Sequence, residues 1–91
     1  MDNILFLCIG DSNIIGDSLG PLIGSLIQKN KKSIRRNINI EVIGTMELPI
    51  GYKNINSIIN NIKKNTFIVI IDSALGSENN IGKIIYIIQM K

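Results

Sequence analysis

The chain alternates between two hydrophobic rhythms. Ile4 to Ile9 (ILFLCI) is a continuous apolar run ended by Gly10, the pattern of a strand buried on both faces. From Leu19 the rhythm changes. Leu19, Leu22, Ile23, Leu26 and Ile27 fall at i, i+3, i+4, i+7 and i+8, which predicts a helix with those residues as its buried stripe. Pro21 suits the first turn of that helix. Gly24 costs about 1 kcal/mol there against alanine unless it lets the helix lie close to a sheet.

Ile38 to Ile43 (INIEVI) alternates and stops at Gly44, a second strand with one less buried face. Thr45 to Tyr52 (TMELPIGY) is a loop broken by Pro49 and Gly51. Ile55, Ile58, Ile59 and Ile62 repeat the helical spacing, with Lys63 and Lys64 expected in the last turn, where cations complement the helix dipole. Phe67 to Ile71 (FIVII) is a third buried strand halted by Asp72. The turn-rich SALGSENN follows, and Lys83 to Ile88 (KIIYII) makes a last strand. Strand, helix, strand, helix, strand predicts right-handed βαβ crossovers and an α/β layer fold with a mainly parallel sheet. With no internal repeat or linker, residues 1–91 read as a single domain.

Composition narrows this picture. Aromatics are 4% of the chain and tryptophan is absent against 45% apolar residues, so aliphatic packing must fill the core. A lone cysteine, Cys8, cannot form an internal disulfide and points to a reducing compartment, the cytoplasm. The apolar runs are strand-sized, below the roughly 18 residues of a membrane span. A soluble protein without membrane partners is expected. The net charge of +3 comes largely from KNKKSIRR, Lys29 to Arg36. Without interleaved aromatics this reads as a solvated helix end, and no specific nucleic-acid binding is expected. Histidine is wholly absent, which removes Ser-His and Cys-His catalysis and histidine metal sites together.

Ligands of a parallel sheet gather at the carboxyl ends of its strands. Asp11 and Asp17 follow the first strand in CIGDSNIIGDSLGPLIG, Glu47 follows the second, and Asp72 ends the third, so four of the seven acids are expected at one edge. Gly10, Gly16 and Gly20 do not match G-x-G-x-x-G, and Asp17 stands where a Walker loop needs its lysine. The loop is therefore no phosphate cradle, and no cofactor is expected. Asp17 can cap the helix. Alternatively, Asp17 and Asp72 share a site that pushes one pKa up, leaving one acid and one base. The same carboxylates would also suit a hard cation. Ser12, Ser18 and Ser73 lie nearby, but lacking a base they read as turn formers. Gly16 and Gly20 permit the close backbone approach that brings a helix start beside a strand end.

CIGDSNIIGDSLGPLIG, IGTMELP and VIIDSALGSENNIGKI, in this order and spacing, resemble the YyaC-type sporulation proteins, a family related to the germination protease that degrades small acid-soluble spore proteins. The resemblance runs from about Leu5 to Ile85. It implies a three-layer α/β/α fold similar to the hydrogenase maturation proteases, with a mainly parallel sheet, incomplete at the C-terminus. By this resemblance Asp17 in the D-x-L-G-P turn and Asp72 in the I-D-x-L stretch are the catalytic aspartates of a peptidase, with Gly10, Asp11, Gly16, Ser18, Gly20, Glu47 and Ser73 in the supporting loops. No metal is implied, because the nickel-sensing histidine of the maturation proteases has no counterpart. The T-D-R that family members carry after the first C-I-G is here Asp11, Ser12 and Asn13, so no arginine role carries over. The competing readings are a non-catalytic spore-assembly or interaction protein and an inactive fragment. A protein or peptide substrate is implied, in the cytoplasm of the forespore or mother cell. In relatives a further C-terminal strand is expected beside Phe67 to Ile71. Its absence would leave an exposed sheet edge open to self-association.

Overall fold

The computed structural model describes residues 3–11, 13, 18–33, 37–73 and 84–90. Strands β1 (Asn3–Ile9), β2 (Asn39–Ile43), β3 (Thr66–Ser73) and β4 (Ile84–Met90) form one sheet in the order β2-β1-β3-β4. β1 runs parallel to both β2 and β3, while β4 pairs antiparallel with β3. Helix α1 (Leu19–Asn30) connects β1 to β2, and the short α2 (Ile55–Asn60) connects β2 to β3. The fold is α/β with a mainly parallel sheet, as the hydrophobic rhythms predict.

The chain steps from β1 to β2 on one side and then crosses β1 to reach β3 on the other. Right-handed crossovers in opposite directions place the two helices on opposite faces, and successive strand residues point to opposite faces. Both follow here. Gly24 of α1 lies against the Cys8 side chain. Ile55, Ile58 and Ile59 of α2 pack on a cluster of Leu5, Leu7, Ile9, Ile68 and Ile70. The sheet is thus the middle of three layers. Its centre is aliphatic: Leu7, Cys8 and Ile68 are fully buried.

Helix α1 departs from the expected stripe. Leu22 and Leu26 are 46% and 54% exposed, and the buried residues are Gly20, Pro21 and Gly24. The cause lies in the glycines. A Cβ at Gly20 would overlap the Ile9 carbonyl, and one at Gly24 the Gly44 carbonyl. The helix therefore rests on the sheet by its backbone, and the leucines turn outward. Gly44, at φ +98, meets the Cys8 carbonyl in the same way and adopts a backbone conformation that favours glycine.

Two further expectations change. α2 ends at Asn60, so Lys63 and Lys64 lie beyond its last turn. The final turn tightens, with the Asn61 N–H donating to the Ile58 carbonyl at 3.1 Å and the Asn61 amide to the Ser57 carbonyl at 3.0 Å. Asn65, at φ 65, then redirects the chain into β3. The flank of β3, expected to be open, is taken by β4, whose register sets Ile71 opposite Tyr86 and Phe67 opposite Met90. Among the described strands the sheet edges are instead β2 and β4.

Candidate functional site

A sheet whose connections leave β1 in opposite directions opens a crevice at the carboxyl ends of β1 and β3, where the strand order reverses. Register places Asp72 on the rim of that crevice, directly beside Ile9. Two residues past Ile9, Asp11 accepts the Asn13 N–H on Oδ1 at 2.8 Å, an Asx turn that fixes the start of the loop. Both aspartates are half-buried. The end of β1 is braced by Ile50, which bridges to Ile9 and accepts the Gly10 N–H at 3.0 Å. The loop after β2 therefore folds back along the end of β1.

Glu47 is held elsewhere. The Ser25 hydroxyl of α1 donates to its Oε2 at 3.4 Å and accepts the Met46 N–H at 2.8 Å. The turn itself is closed by the Thr45 N–H on the Leu48 carbonyl and by the Leu48 N–H on the Thr45 hydroxyl. β2 and β3 flank β1, so their ends stand about 10 Å apart, two interstrand spacings. The expected gathering of acids divides accordingly: Asp11 and Asp72 adjoin the crevice, and Glu47 is tied to α1 on the β2 side. Sequence reasoning missed Ser25 and Ile50. Neither carries a motif, since their roles arise from where the loop docks.

Asp17 and Gly16 lie outside the described residues, as do Ser12, Arg35 and Arg36. The N-cap position of α1 belongs to Ser18, which makes no side-chain cap bond and accepts the Leu22 N–H on its carbonyl at 3.0 Å. The capping reading of Asp17 falls outside the described residues. Gly20, three residues on, sits against the Ile9 carbonyl, so the helix start is anchored at the end of β1, as the glycine spacing predicts. Ser73 closes β3 and pairs with Ile84. Among the described residues, no three metal-ligating side chains gather and no helix is long and apolar enough to cross a membrane. Burial pushes the Cys8 thiol from its ordinary value of 9.0 up to about 11, leaving it protonated and unreactive at neutral pH.

A family described as "Protein of unknown function (DUF1256)" matches residues 1–89. The chain belongs to this family. It is 33% identical over 82 residues to "Uncharacterized protein YyaC" of Bacillus subtilis (strain 168), an alignment covering 87% of this chain and 38% of the relative. The chain thus spans well under half the length of that curated relative. The match agrees with the YyaC-type resemblance carried by CIGDSNIIGDSLGPLIG and its companion motifs. No solved structure matches it.

Proposed function

We propose that the protein acts in sporulation as a peptidase of the germination-protease type, with Asp17 and Asp72 sharing the hydrolytic water. The observation that carries this reading is the place of Asp72: it is the last residue but one of a buried strand at the point where strand order reverses, beside Ile9. Asp17 precedes Gly20 by three residues, a separation that spans at most about 11 Å, and Gly20 lies close against the Ile9 carbonyl. In this mechanism the ionised aspartate takes a proton from water as the oxygen attacks the peptide carbonyl carbon. The protonated partner donates a hydrogen bond to the carbonyl oxygen. The C–N bond then breaks as a proton passes to the leaving amine. A fold similar to the hydrogenase maturation proteases and a location in the forespore or mother cell belong to the same reading.

A second reading is a non-catalytic assembly protein. It is favoured by the leucines on the surface, Leu22, Leu26 and Leu48, the last 77% exposed. Incubation of the protein with an unfolded small acid-soluble spore protein separates the two. Cleavage that is lost in Asp72→Asn supports the peptidase, whereas stable capture without cleavage supports assembly.

A further inference from the structure

At the other ends of the strands the sheet and α2 line a half-open cavity of about 370 Å³, within the range of small-ligand sites. Its floor is a polar row. Register aligns Asn39 of β2, Asn3 of β1 and Thr66 of β3 side by side, at roughly 4.8 Å intervals. The Asn39 amide donates to the Asn3 Oδ1 at 3.2 Å, which leaves an amide donor and an amide acceptor of the pair for another molecule. Thr66 is the polar residue among the described ones that is buried, at 5% exposure. Its hydroxyl has no hydrogen bond to the described residues, although a buried hydroxyl left unpaired costs about 1–3 kcal/mol.

Charge is placed on the rim. Glu41, one residue pair further along β2 from Asn39, and Lys63, just past α2, line the same cavity and are both exposed. Leu5, Ile58 and Ile62 supply an apolar wall. A carboxylate, an ammonium, a row of amide and hydroxyl groups and a hydrophobic surface lining one cavity match a molecule with a free ammonium, an amide, a free carboxylate and an apolar side chain.

We infer that this cavity binds a short zwitterionic peptide of dipeptide size. Glu41 receives its N-terminal ammonium, Lys63 its carboxylate, and the Asn39–Asn3–Thr66 row its amide. The site is separate from the proposed hydrolytic crevice, since Thr66 and Asp72 lie at opposite ends of β3, roughly 20 Å apart at strand spacing. Its failure and that of the peptidase reading are therefore distinguishable.

The test is an NMR titration of the full chain, isotopically labelled, with glycyl-leucine and with N-acetyl-glycyl-leucine amide. Saturable amide shifts at Asn3, Asn39 and Thr66 with the free dipeptide are expected. Blocking both termini, or changing Glu41→Gln or Lys63→Gln, should weaken binding at least about tenfold, as loss of a charged hydrogen bond implies. Thr66→Val should weaken binding without lowering the melting temperature, because it removes a buried hydroxyl that has no hydrogen bond to the described residues. Shifts that fail to appear up to about 10 mM peptide, or equal binding by the blocked peptide or the charge variants, would overturn the inference.

Discussion

Ile9 of β1 stands directly opposite Asp72 of β3 in parallel register, and the Ile9 carbonyl is in turn covered by Gly20 of α1. One residue at a strand end thus joins the third strand's aspartate to the start of the first helix. Any chemistry at this edge depends on that contact, because it sets how near the loop before α1 comes to Asp72.

The glycines that permit this approach give a sharp test of the packing. Gly20→Ala and Gly24→Ala should each destabilise the fold by about 1–3 kcal/mol or more, since the added methyl meets carbonyl groups that cannot rotate away. Gly51→Ala has open space around it and should be neutral or slightly stabilising, by up to about 1 kcal/mol. Chemical denaturation of the three variants measures all three effects. Equal effects at Gly24 and Gly51 would refute backbone-on-backbone seating of α1.

A second contrast separates leucines by position. Leu7→Ala, at a fully buried site in the sheet, should cost about 2–5 kcal/mol. Leu22→Gln and Leu26→Gln on the outer side of α1 should change stability by no more than about 0.5 kcal/mol. Urea midpoints report the difference, and a loss at Leu26 comparable with that at Leu7 would show that the leucine face is buried after all.

These leucines also show what was legible in the residues. The apolar runs at Ile4–Ile9 and Phe67–Ile71 announce buried strands because their rhythm and their composition agree. For α1 the two signals conflict. Spacing alone assigns Leu22 and Leu26 to the core, but a helix carrying Gly20 and Gly24 one turn apart buries that side, since close approach of backbones outweighs the burial of leucines further round the helix. The direction of β4 was not legible, because alternation carries no sense of chain direction. In the site, Asp72 was readable as the polar residue that halts an apolar strand. Glu47 was readable as a strand-end acid, but its tether to Ser25 depends on loop docking that no local pattern encodes.

Cys8 predicts a pH dependence. Its thiol holds its proton until about pH 11 in the folded state, against 9.0 ordinarily, because of burial. Below pH 9 both folded and unfolded chains carry the proton, and the contribution to stability is complete. Between about 9 and 11 the unfolded chain loses the proton first, so stability falls as pH rises, by about 2–3 kcal/mol at most. Cys8→Ala should start less stable but lack this component. Subtracting the two profiles, from denaturation at pH 7 to 11, removes the lysine and tyrosine titrations common to both. A flat difference would contradict the burial of the thiol.

Self-association is expected through the sheet edges at β2 and β4, whose outer backbone groups have no ladder partner among the described strands. Sedimentation should show concentration-dependent association in the micromolar to millimolar range. A protein that stays monomeric across that range would contradict it.

The most direct measurement is hydrolysis of an unfolded small acid-soluble spore protein by the wild-type chain and by Asp17→Asn and Asp72→Asn, each confirmed to be folded by circular dichroism. Two carboxylates acting on one water predict measurable cleavage by the wild type and its loss in each variant alone, because neither acid can supply both proton transfers. Absence of cleavage by the folded wild type, or cleavage that survives Asp72→Asn, would contradict a shared-water site at the end of β3.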